Sequence, residues 1–135
     1  MKRTTLAYYN GAYGPTVLID VHLMSWLVLL RHLIRNLMDD VIDRIDFLQL
    51  ENIEVSNISA FILVKSAKRS YPCADDLKAG SGILELTWAL DFDQLCHVIG
   101  LIDRLIECDS AGHQYLTDDD RLVIELSYKE CHMRG

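Results

Sequence analysis

Positive charge is what this chain has least of for its size: 13 Lys and Arg stand against 20 Asp and Glu, a formal charge of -7. Counterion release rewards cationic surfaces on nucleic acid, so this balance argues against a direct DNA or RNA partner. Proline (2) and glycine (7) are few, which excludes collagen-like and low-complexity chains. The four cysteines, Cys73, Cys96, Cys108 and Cys131, form no CxxC pair, so the common zinc and dithiol spacings are absent. No apolar run is long enough to cross a bilayer: the greasy stretch 23–30 contains Ser25 and is followed by Arg31 and His32. Nor do Met1, Lys2 and Arg3 lead into an apolar run of the secretory kind. The expectation is a reduced, cytoplasmic protein with no membrane and no nucleic-acid partner. Its thiols are structural or incidental, with Cys96 packing as a small hydrophobe on a helix.

What is present is a globular composition, 50% apolar and 24% charged over 135 residues, enough for one domain, 1–135, with a real core. An irregular aromatic segment, 8–15, is punctuated by Gly11, Gly14 and Pro15. A β-branched run at 16–21 predicts a strand, and the three- and four-residue spacing of Leu23, Trp26, Leu27, Leu30, Leu33, Ile34 and Leu37 predicts a helix over 23–39. Met24, Val28, Leu29 and Met38 widen that apolar stripe beyond what one sheet face needs, which calls for a covering loop or a partner. A packed connection with a short strand or turn spans 41–59, and strands follow at 60–66 and 83–89, separated by a long polar excursion. Asp91 or Asp93 caps a second helix that ends near Cys108 or Asp109, and a last strand covers 121–128. Two strand–helix units around a central strand pair predict an α+β two-layer sandwich in ferredoxin-like βαββαβ order, an antiparallel-rich sheet with two helices on one face.

The candidate chemistry is sparse. Five histidines, His22, His32, His97, His113 and His132, include no i, i+4 pair and have no cysteine at zinc-finger distance, so no metal is assigned. Asp20, followed by His22, is the best catalytic-looking local feature, set against the commoner role of an Asp that caps the next helix. Gly80, Ser81 and Gly82 lead into a strand, without the helix start that binds phosphate. No catalytic residue and no cofactor follows from these patterns. Gly112, His113, Gln114, Tyr115 and Leu116 read as a turn, anchoring its own backbone or offering the flat, polar-tipped side chains of recognition surfaces.

These five residues, the acidic turn after them and the strand at 122–128 resemble small bacterial immunity proteins of polymorphic or contact-dependent toxin systems. The resemblance spans roughly the last third of the chain and the strand at 16–21. It implies a partner-binding protein without catalysis, whose partner is a protein toxin such as a basic nuclease domain. The acidic balance agrees, since a negative surface can occlude a cationic site. The expected partner-binding residues are His113 and Tyr115, with Asp118, Asp119 and Asp120, and Asp75 and Asp76 of the long excursion. The alternative is a small-molecule-binding or catalytic ferredoxin-like domain, its pocket between the helices and 65–82. The toxin's identity and the oligomeric state do not follow from the sequence.

Overall fold

A computed structural model describes residues 3–11, 14–67, 83–117 and 122–129. The chain opens with a hairpin rather than the expected irregular segment. β1 (Thr4–Gly11) folds back on β2 (Gly14–Val21), with Leu6 opposite Ile19 and Tyr8 opposite Val17. Leu6, Tyr8, Val17 and Ile19 all point into the core, so alternation along both strands fixes the register: a one-residue slip would turn every one of them outward.

Helix α1 (Met24–Met38) follows β2 and buries Trp26, Leu27, Leu30, Ile34 and Leu37 on one face. Its N-cap is Leu23, which offers no side-chain acceptor. Its C-terminus closes with Asp40 in the left-handed region, φ 59°. The amide of Val41 donates to the Asn36 carbonyl (2.8 Å) and that of Asp40 to Leu37 (3.3 Å), the pattern that satisfies orphan carbonyls at a helix end. Of the surplus apolar residues, Met24 and Met38 pack against the core, whereas Val28 and Leu29 stay exposed.

The 41–59 connection does contain a short strand and a turn: β3 (Ile45–Asp46), a 3-10 turn (Phe47–Gln49) and β4 (Ile53–Ser56). Asp46 accepts from the Leu48 amide at the start of that turn. Then come β5 (Ile58–Lys65), β6 (Leu84–Leu90), α2 (Phe92–Cys108), β7 (Gly112–Tyr115) and β8 (Val123–Tyr128). Asp91 is the N-cap of α2 and forms a full capping box with Gln94: the Gln94 amide donates to the Asp91 carboxylate (2.7 Å) and the Asp91 amide to the Gln94 side chain (3.0 Å).

The strands make two sheets, β4-β1-β2-β8-β7 and β3-β5-β6. β1/β2, β7/β8 and β3/β5 are antiparallel, while β1/β4, β2/β8 and β5/β6 are parallel. The architecture is α+β with mixed sheets, and the ferredoxin-like order is not matched. That order needs the two central strands to form an antiparallel pair, whereas β5 and β6 run parallel. The sheets are also not antiparallel-rich, because half of the pairings among the described strands are parallel. Alternation of burial along a strand does not distinguish the two directions.

One core joins both sheets and both helices. It takes Val17, Ile19 and Val21 of β2, Ile124, Leu126 and Tyr128 of β8, the buried face of α1, and Leu95, Val98, Ile99, Leu101, Ile102 and Leu105 of α2. Phe47 of the 3-10 turn stacks on Phe61 of the smaller sheet, and Phe61 on Trp88, with centroids 4.3 and 6.1 Å apart. Arg31 of α1 and Asp103 of α2 form an ion pair where the two helices meet. No helix among the described residues is long and apolar enough to cross a membrane.

Candidate functional site

The strand register assembles a polar row across the five-stranded sheet. Glu54 of β4 lies beside Thr5 of β1, Thr5 opposite Asp20 of β2, Asp20 beside Ser127 of β8, and Ser127 opposite His113 of β7. A second row follows two residues along each strand: Ser56, Ala7, Leu18, Glu125 and Tyr115. Tyr9, Thr16 and Val123 form a third. Residues in register share a face, and residues two apart along a strand return to it. All these positions therefore occupy the face opposite the core, whose members alternate with them in the sequence.

This outer face is not uniformly wet. Ser127 is fully buried, Leu18 is 3% exposed and Asp20 8%, yet none of the three belongs to the core cluster. Its margins are open: Tyr9, Glu54, His113 and Tyr115 are exposed. The surface thus has a shielded middle, Leu18, Asp20 and Ser127, and a rim of aromatic and acidic groups.

His113 and Tyr115, which stand out in the sequence, sit together at one edge of it. They belong to a strand, not to the expected turn, and being two residues apart on β7 their rings meet edge to face, 5.4 Å between centroids. Asp20 comes onto the same face. It does not cap α1, because it sits inside β2, and its carboxylate lies 3.5 Å from His22 Nε2. Its role is that of a strand residue in a polar row. Asp75, Asp76, Asp118, Asp119 and Asp120 lie outside the described residues. Cys96 is exposed on α2 rather than packed, because its helix turns Leu95 and Val98 inward instead.

Glu125, Glu54 and Tyr9 share this candidate face and are not announced by the sequence. Each stands on a strand whose other face is apolar, so the available signal is the polar half of the alternation, which marks a solvent face without saying that strands will line it up. Glu125, a half-buried residue in register between Leu18 and Tyr115, has no side-chain hydrogen-bond or ion-pair partner among the described residues.

Two other polar clusters serve the helix ends. Lys65 donates to the Met38 carbonyl (2.9 Å) and to both oxygens of Asp40 (3.1 and 3.2 Å), placing a cation at the negative end of the α1 dipole. A cleft of about 310 Å³ opens there, lined by Leu37, Asp40, Ile42, Asp43, Lys65 and Ser66 among others. At the end of α2, Asp109 adopts φ 42° and accepts from the Tyr128 hydroxyl (2.8 Å) and from Lys129 (3.0 Å). These bonds, the tyrosine's first, hold the Asp109 carboxyl below its usual range. The Tyr128 hydroxyl is pushed up, chiefly by burial and then by its bond to Asp109. No cluster of three or more His, Cys, Asp or Glu with metal-holding geometry occurs among the described residues. No family model, curated protein or solved structure matches the chain.

Proposed function

We propose that the chain is an immunity- or antitoxin-like protein that binds a cognate protein toxin and neutralises it by occluding the toxin's active site, and that the outer face of the five-stranded sheet is the surface it uses. In this reading the helices form one layer on the inner side, a two-layer sandwich, and the opposite side meets the partner. The observation that carries the reading is the placement of His113 and Tyr115. The sequence motif that resembles immunity proteins lands on the exposed edge of a face that also holds Tyr9, Asp20, Glu54 and Glu125. Tyrosine offers a rigid, amphipathic surface, and carboxylates complement a cationic partner such as a basic nuclease domain. The acidic residues Asp75, Asp76 and Asp118 to Asp120 would add to the same field, and the reading places the encounter in the cytoplasm.

The test is to seek a toxin domain among the products of the genes beside this chain's own and to co-express the two. Retention of the toxin on the tagged protein together with rescue of growth is the expected result. Loss of both, with the protein folded and abundant, would remove the reading. A second reading, a small-molecule site, rests on the cleft beside Lys65. It requires a rise in melting temperature with a metabolite or a metal, a rise that the immunity reading does not produce.

A further inference from the structure

β4 ends the larger sheet, and among the described strands it pairs with β1 alone. The phase of that ladder, with the Thr4 amide on the Asn52 carbonyl (2.9 Å), turns the backbone groups of Glu54 and Ser56 toward β1 and those of Ile53 and Val55 away from it. The outward amides and carbonyls of Ile53 and Val55 have no hydrogen bond among the described residues. Glu54, Val55 and Ser56 are exposed, Val55 to 42%. Asn52 (φ 58°) and Asn57 (φ 62°) bound the strand, and the Asn57 side chain ties its end to the Tyr8 carbonyl of β1 (3.3 Å). The edge is thus fixed in an extended form before anything pairs with it. Open edges are commonly blunted by lysine, proline or a bulge; 51–57 contains no lysine or proline, and its register with β1 is unbroken. The charged residues of this segment are Glu51 and Glu54, both exposed and neither in an ion pair among the described residues.

A second copy of the chain does not fit this edge. The antiparallel register that pairs Ile53 and Val55 of each copy with those of the other sets Glu54 opposite its own copy, with Cα atoms about 4.5 Å apart. Like charges directly opposite one another destabilise a strand pair, and each chain carries a formal charge of -7. A cation at that place reverses the sign. We infer that the outer edge of β4 accepts an antiparallel strand of a cationic protein partner, with Lys or Arg opposite Glu54 and aliphatic residues opposite Ile53 and Val55. The alternation follows from the sheet. Glu54 is in register with Thr5 on the outer face, whereas Val55 is in register with Leu6 of the core. Main-chain bonds to Ile53 and Val55 supply the affinity, and Glu54 supplies the choice of partner. The inference rests on the proposed binding role for the cationic nature of the partner, and it adds the edge by which that partner is held.

The experiment is an NMR titration of the labelled full chain with acetyl-Thr-Val-Lys-Val-Thr-amide, against the same peptide with glutamate in place of lysine. The lysine peptide should shift the Ile53 and Val55 amides, slow their exchange with solvent, and bind about fivefold or more tighter than the glutamate peptide. Glu54→Lys should reverse that order. N-methylation of both valines, whose amides face the Ile53 and Val55 carbonyls, should abolish binding, whereas N-methylation of the lysine, whose amide points away, should leave most of it. Val55→Pro removes an amide that β1 does not use, a substitution an edge strand tolerates, and should weaken the peptide by about fivefold or more with the rest of the spectrum unchanged. Equal affinity for the two peptides, shifts away from β4, or a chain that sediments as a dimer with the Ile53 and Val55 amides already protected would overturn the inference. Failure here is separable from failure of the proposed function. If the wild type protects cells from the toxin but binds neither peptide, the function stands and the edge falls. If the lysine peptide binds at β4 while the wild type gives no protection, the edge stands and the function falls.

Discussion

Among the described residues, five non-glycine residues have positive φ: Asp40, Asn52, Asn57, Asp109 and Lys129. Four are Asp or Asn, the side chains that tolerate the left-handed region because they satisfy local backbone groups. Asp40 and Asp109 also act electrostatically, each ending a helix and each receiving a lysine. The consequence for Asp109 is a pH dependence whose sign can be worked out. Its folded carboxyl titrates lower than the unfolded one, because the Tyr128 hydroxyl and then Lys129 favour the ionised form. The stability this provides is complete above the unfolded carboxylate range, near about pH 4, and is lost as pH falls through the lowered folded value. Asp109→Asn should therefore flatten the acid limb of a urea-measured stability–pH profile while leaving its neutral shape alone. An acid limb as steep as that of the wild type would show that the bond to Tyr128 carries no linkage.

The two helices begin in opposite ways, and the difference is measurable. Asp91 closes a capping box, so Asp91→Ala should cost about 1 kcal/mol in chemical denaturation. Leu23 offers α1 nothing and is itself exposed, so Leu23→Ser should stabilise by about 0.5–1 kcal/mol, supplying an acceptor while leaving the core intact. If both substitutions move stability in the same direction, capping is not what separates these termini. Elements with strong periodicity are legible in the sequence: both helices, β2, β5, β6 and β8 fall within about two residues of expectation. β1 is hidden because Asn10, Gly11, Gly14 and Pro15 mark the hairpin turn so strongly that they mask the alternation of Leu6 and Tyr8 before it. β7 is hidden because Gly112, His113, Gln114 and Tyr115 carry no apolar alternation at all. It is a strand through its pairing with β8, a tertiary cause that a local pattern does not contain.

Across the whole molecule, the two sheets are joined where the chain leaves β4 and enters β5, and the joint is one residue. Asn57, φ 62°, lets the strand turn from one sheet into the other; its side-chain amide donates to the Tyr8 carbonyl of β1, and its carbonyl accepts from the Leu84 amide of β6. Asn57→Ala should destabilise by about 1–2 kcal/mol, from φ strain plus the missing hydrogen bond, and Asn57→Gly by less, since glycine restores the backbone alone. Equal losses would mean that the backbone conformation is not strained. The outer face of the larger sheet shows the same dependence on assembly. Asp20, His113 and Tyr115 each stand out in the sequence for local reasons, but only the pairing of β1, β2, β8 and β7 sets them on one surface. Glu125 likewise gains its meaning from neighbours remote in sequence (Leu18) or on an adjoining strand (Tyr115). The last expectation belongs to the charge of the chain as a whole. Under the proposed function, the charge of -7 would attract a cationic toxin over distances set by the screening length, about 30 Å at 10 mM salt and about 8 Å at physiological ionic strength. Between those conditions the association rate with the toxin should fall by about tenfold or more. Dissociation should change little, because it is governed by pairs already closer than the screening length. Surface plasmon resonance across a salt series separates the two rates. A salt effect confined to dissociation would mean that the net charge does no steering and that recognition lies in the interface residues alone.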